Sequence, residues 1–139
     1  MIVDASALLP AYFPDEDQLS SQRLLRDYVL GELDLAAPTL LVYEMANAVM
    51  QAIRRGRIRE EQGMEALETF NGLGIPLFPV AWQDMAAFAQ RFGRSAYDAS
   101  YLALANQRGE SFVTGDRRMY NAVKDHLDWV IWIGDLFED

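Results

Sequence analysis

Ser95-Ala96-Tyr97-Asp98-Ala99-Ser100-Tyr101-Leu102-Ala103-Leu104-Ala105, followed by Ser111-Phe112-Val113-Thr114-Gly115-Asp116, reads as a helix that feeds a strand. The first run is small or apolar at helical spacing, with one carboxylate near its start; the second is rich in β-formers and ends in a turn. Positions 98, 102 and 105 share a helix face, so Asp98 lines up with Leu102 and Ala105. A carboxylate on that side is costly unless it is hydrogen-bonded, paired or bound to a metal. Asp98 needs a partner.

Working outward, the same alternation recurs. Arg117 to Lys124 reads as a helix and Trp129-Val130-Ile131-Trp132-Ile133 as the last strand. At the other end, Met1 to Val3 is a buried strand ending at Asp4, and Ala5 to Leu9 a short helix. A helical stripe through Leu19, Leu24, Leu25, Tyr28 and Val29 stops near Gly31. Leu33 to Ala37 is a strand candidate, and Pro38-Thr39 opens a helix with Leu41, Met45, Val49 and Ala52 on one face and Glu44, Asn47 and Gln51 on the other. Glu60 to Phe70 is a further helix. Ile75 to Val80 is a strand whose prolines put it at a sheet edge, and Asp84 to Phe92 is a helix ended by Gly93. Continuous apolar strands alternating with helices predict an α/β fold, a three-layer sandwich around a mostly parallel sheet.

The chain has 139 residues and is 51% hydrophobic, with no linker or repeat, so a single domain over 1–139 is expected. It has no cysteine, which excludes thiolate chemistry and Cys-based zinc sites. His126 is the only histidine and sits in a polar run, so Ser–His catalysis has no support. No apolar stretch reaches bilayer-spanning length and no signal-type segment opens the sequence, so no membrane partner and a cytoplasmic location are expected. The net charge of −9 argues against a nucleic-acid partner unless clustered acids are neutralised by cations. The positive charge is nearly all arginine, Lys124 being the one lysine.

In a parallel α/β unit, strand C-termini and the N-termini of the helices that follow share one edge of the sheet, where ligands bind. Asp4, Glu44, Asp98 and Asp116 are all delivered to that edge. Each has a plain structural reading: Asp4 or Asp98 as a helix cap, Glu44 as a solvated helix residue, Asp116 as a turn residue. Capping explains them singly but not their convergence. Four carboxylates cannot share a site unneutralised, and oxygen-only ligands point to Mg²⁺ or Mn²⁺. Ser6 and Thr114, each two residues from an acid, are placed to support the ligands. Asp84 reads as a helix-dipole residue, and Asp135 is an outside candidate for the site.

With these motifs in order, Val3-Asp4-Ala5-Ser6, Pro38 through Glu44 to Asn47, Tyr97-Asp98-Ala99 and Thr114-Gly115-Asp116, the chain resembles the PIN domain and, within it, the VapC ribonuclease toxins. The resemblance covers essentially the whole sequence. It implies a parallel five-stranded sheet of order 3-2-1-4-5 and a Mg²⁺- or Mn²⁺-dependent endoribonuclease acting on RNA. It also implies a homodimer inhibited by a cognate VapB-type antitoxin. By position, Asp4, Glu44, Asp98 and Asp116 would be the metal-binding catalytic acids, with Ser6 and Thr114 supporting. Arg94, Arg117 and Arg118 are candidates for guiding the RNA backbone. The face carrying Leu24, Leu25 and Tyr28 is a candidate groove for an antitoxin helix. Two other classes compete: a metal-dependent phosphoryl-transfer enzyme, which would want a second acid where Ser6 stands, and a PIN-like module that binds RNA or a partner without cutting.

Overall fold

Ile2 and Val3 are successive residues of one strand, and both are wholly buried. They point to opposite sides: Ile2 packs with Tyr101, Leu102 and Phe112, Val3 with Leu8, Leu24, Leu41, Met45 and Val113. A strand with period-two side chains and two apolar faces must be covered by helices on both. The chain obeys this rule in a computed structural model, which describes residues 1–137.

The order is β1 (Ile2–Val3), α1 (Ala5–Leu8), α2 (Leu19–Val29), β2 (Ala37–Pro38), α3 (Leu40–Arg54), α4 (Glu60–Gly72), β3 (Leu77–Phe78), α5 (Trp82–Phe92), α6 (Ala96–Arg108), β4 (Phe112–Thr114), α7 (Arg117–Val123) and β5 (Val130–Trp132). Short 3-10 turns occupy Leu9–Tyr12 and Ile133–Asp135. Every strand pair is parallel: β1 with β4, β4 with β5, β2 with β3. This is the expected α/β sandwich. Among the described residues no helix is long and apolar enough to cross a membrane.

Where a single sheet of order 3-2-1-4-5 is expected, the structure has two ladders, β1-β4-β5 and β2-β3, joined by one parallel bridge between Ile2 and Ala36. The bridge consists of Ala36 N–H donating to the Met1 carbonyl at 2.9 Å and Val3 N–H donating to the Ala36 carbonyl at 3.1 Å. In that register the next donor would be residue 38. Pro38 has no N–H, so the pairing stops there. On its other side, where Ala37 and Thr39 donate to the Pro76 and Phe78 carbonyls at 3.1 Å each, no bond is asked of Pro38.

Proline also corrects two boundaries. The strand expected over Leu33 to Ala37 is confined to Ala37–Pro38, and Pro38 closes it instead of opening the helix, which begins at Leu40. Similarly, the helix expected from Asp84 begins at Trp82. Gly93 (φ 63°) ends α5 and Gly109 (φ 65°) ends α6 in the left-handed conformation that glycine adopts without cost. The turn after Gly93 restarts the chain at Ser95, which sets where Asp98 falls. On α2, Leu24 is wholly buried in the core and does not line an open groove; the exposed apolar side chains of that region are Leu19, Val29 and Leu30.

Candidate active site

Asp4 follows β1 directly and is held from three sides. Its backbone is extended (φ −105°, ψ 176°), and its Oδ1 caps α1 by accepting the Ala7 N–H at 3.2 Å. Ser6 Oγ donates to Oδ1 at 2.6 Å, and Thr114 Oγ1, at the end of β4, donates to Oδ2 at 2.6 Å. The two hydroxyls are themselves fixed: Gly115 N–H donates to Ser6 Oγ at 2.8 Å, and Asp116 N–H to Thr114 Oγ1 at 3.1 Å. A Cβ on Gly115 would stand 2.7 Å from the Ser6 carbonyl oxygen, so only glycine lets β4 approach α1 this closely. Burial pushes Asp4 up to about 6 despite the lowering effect of these hydrogen bonds, and Asp116 adds to the rise.

Asp116 begins α7, accepting the N–H groups of Arg118 at 3.0 Å and Met119 at 3.3 Å. The capping reading of Asp4 therefore holds, and Asp116, expected as a turn residue, is a helix cap as well. Glu44 lies in the second turn of α3 and is half-buried. Burial first, then the Asp4 charge, then those of Asp98 and Asp116, push it up to about 7; Tyr101 acts in the opposite direction. The Tyr101 hydroxyl is buried beside Glu44 without closing a well-formed hydrogen bond, and burial with the neighbouring carboxylates holds its proton far above the ordinary range.

Asp98 is in the first turn of α6, but the cap of that helix is Ser95, whose Oγ accepts the Asp98 N–H at 3.0 Å. Its carboxylate is left free for another role. It pairs with Arg94, whose Nε and Nη2 donate to Oδ2 at 3.2 and 3.0 Å. The partner that Asp98 needs is thus, in the protein alone, a guanidinium four residues earlier. Asp84 is exposed in the first turn of α5, Asp135 is exposed in the turn after β5, and His126 is exposed.

Charge coupling links Glu44 to Asp4, Asp98 and Asp116, and Asp4 to Asp116. Among the described residues no three of them close round a single ion. The donor set nevertheless fits a hard divalent cation. All donors are carboxylate oxygens, and Asp4 and Glu44 are pushed up first by desolvation and then by neighbouring carboxylates, Asp116 for Asp4 and Asp4, Asp98 and Asp116 for Glu44, a cost that a bound cation relieves.

The PIN domain family model matches residues 1–125, a span that contains all four acids. This chain is a PIN-domain protein. Relatives of the PIN domain described here include Ribonuclease VapC3 of Pyrobaculum aerophilum, 35% identical over 124 residues that cover 86% of this chain and 91% of the relative. VapC ribonuclease Mb0985 of Mycobacterium bovis is 33% identical over 119 residues, covering 86% of this chain and 87% of that one. In three dimensions the PIN domain is similar to PAE2754 from Pyrobaculum aerophilum, with a TM-score of 0.72 and 25% identity over 97% of this chain and 91% of that one.

Two parts of the site escaped the sequence reading of this PIN domain. Tyr101 stands three residues after Asp98 and so shares its helix face, a signal that was present. Ser95, three residues before Asp98, has the spacing of a capping motif and excludes Asp98 as the cap. Of the three arginines singled out, Arg94 is engaged by Asp98, whereas among the described residues Arg117 and Arg118 have no carboxylate partner. The Arg117 guanidinium carbon sits over the Trp132 ring, 3.7 Å from its centroid.

Proposed function

We propose that this PIN domain, acting as one unit over residues 1–139, is an endoribonuclease of the VapC toxin type that hydrolyses RNA phosphodiester bonds with Mg²⁺ or Mn²⁺. The observation that carries the reading is the charge coupling of Glu44 to Asp4, Asp98 and Asp116, which come from four separate elements at one sheet edge. Kinship with proteins named as VapC ribonucleases supports RNA as the substrate.

Asp4, Glu44, Asp98 and Asp116 would hold the cation, which when bound supplies a Lewis acid for the scissile phosphate and for activation of water. Ser6 and Thr114 keep the Asp4 carboxylate in one orientation, each by a 2.6 Å hydrogen bond. Arg94 holds Asp98 through Oδ2 alone, so Oδ1 would remain to hold the cation. Arg117, propped on Trp132 and paired to no acid among the described residues, presents its guanidinium N–H groups to an RNA phosphate. A VapB-type antitoxin and a second copy of the chain are proposed as partners on the same kinship. Copurification with the antitoxin and the molar mass in solution test the two partners.

The deciding experiment is cleavage of a mixed RNA pool by the purified protein with Mn²⁺, with Mg²⁺ and with EDTA, alongside Asp98→Asn. Cutting that needs the metal and disappears in the variant is expected. A folded protein that binds manganese and cuts no strand in any condition would overturn the reading.

A further inference from the structure

Tyr43 and Tyr97 are the immediate neighbours of Glu44 and Asp98, and they are 72% and 68% exposed. Both line one cleft of about 450 Å³ between the start of α3, the segment after β3 and the start of α6. Leu40, Val80 and Met85 furnish its apolar wall and Ser100 a polar point. No residue lining it carries a formal charge, although the chain as a whole has a net charge of −9. Ser100 Oγ donates its proton to the Tyr97 carbonyl at 2.6 Å, so it offers incoming groups only acceptor lone pairs.

We propose that the cleft between Tyr43 and Tyr97 is a nucleobase subsite, which holds the base next to the phosphate presented to the acids. The proposal rests on the ribonuclease reading and adds where the RNA strand lies. An uncharged, aromatic-edged slot suits the nucleobase, the uncharged and aromatic part of an RNA, because base faces stack on tyrosine rings whatever the sequence. Its position follows from helix geometry. Residues 43 and 44, like 97 and 98, are successive on their helices, so the rings flank the carboxylates without covering them. The size fits as well. Small-ligand clefts are apolar, with few polar groups and volumes of roughly 300–1,000 Å³. An interface with a second protein copy needs about 20–30 residues a side, whereas ten residues line this cleft.

The test uses the full chain and a labelled single-stranded RNA, with the same strand carrying an abasic site at each position in turn. Binding is measured by fluorescence anisotropy for the wild type, Tyr43→Ala, Tyr97→Ala and the two Tyr→Phe variants. Each alanine variant is expected to weaken binding about tenfold, the size of one lost stacking contact, and phenylalanine to restore it. One abasic position should weaken wild-type binding equally, and on that strand the alanine variants should cause no further loss. If the alanine variants weaken intact and abasic strands alike, or change the molar mass of the protein in solution, the subsite is overturned and the rings belong to a protein interface. A wild type that cuts no RNA removes the ribonuclease reading, and equal binding of intact and abasic strands by that same protein removes the subsite separately.

Discussion

The two sides of the acidic rim are built on different terms. On one side Asp4 and Asp116, with Ser6, Thr114 and Gly115, form a closed hydrogen-bonded knot in which Asp4 is only 7% exposed. On the other, Glu44 is half-buried, and Asp98 is held by a single arginine with its side chain 30% exposed. The first side is fixed by the backbone before any ligand arrives. The second is held by charge, through the Arg94–Asp98 pair and the carboxylates that surround Glu44. A site assembled in this way has one rigid jaw and one adjustable jaw.

The largest expected effect comes from the adjustable jaw. Asp98→Asn keeps the shape and removes the charge, and should lower metal-dependent RNA cleavage by roughly 10²–10³-fold, as loss of one group that stabilises developing charge does elsewhere. Retention of near-normal cutting would show that Asp98 serves only to hold Arg94.

The next effect separates the jaws by pH. Asp4 and Glu44 have folded-state values raised from 3.8 to about 6 and from 4.5 to about 7. Each therefore contributes stability that is fully present below its unfolded value and lost as pH rises through the folded one. In EDTA, thermal stability should fall between pH 4 and 8, the buried Asp4 alone accounting for about 3 kcal/mol by linkage. Glu44→Gln should remove the upper part of the fall, and Mg²⁺ or Mn²⁺ should flatten it. A profile that rises with pH would contradict the raised values of both acids.

Within the rigid jaw, Thr114→Val deletes a wholly buried hydroxyl and leaves one Asp4 oxygen without its donor. Denaturant unfolding should show a loss of about 1–3 kcal/mol, whereas Arg94→Ala, on the other jaw, should cost far less. Equal losses would erase the distinction. The smallest effect is that of Arg117→Ala. If its guanidinium meets one phosphate, the slope of log K against log salt for a single-stranded RNA should decrease by about 0.7, and an unchanged slope would leave Arg117 as a cover for Trp132.

The rigid jaw was legible in the sequence because it is local: Asp4, Ser6, Thr114 and Asp116 sit at strand ends, where continuous apolar runs stop, and strand ends share one edge. The adjustable jaw was legible only in part. Asp98 was placed on the right turn, but its partner depended on how tightly Gly93 and Ser95 turn the chain between α5 and α6. The division of the sheet was hidden for a different reason. Leu33 and Leu35 make a persuasive apolar run, and nothing in composition tells that a missing N–H at Pro38 ends the pairing of β2 with β1. The exposure of Tyr43 and Tyr97 was likewise unreadable, since a tyrosine in a helix otherwise rich in apolar residues looks like core.

Pro38 has a mechanical consequence. With one bridge at Ile2 and Ala36 joining the two ladders, the sheet carries a seam, and the four acids lie on either side of it. Glu44 rides with the helix after β2, whereas Asp4 and Asp116 ride with β1 and β4. A cation shared by these acids would act as a stitch across that seam. The amide protons of Val3 and Ala36, which make the bridge, would then exchange more slowly once it is in place.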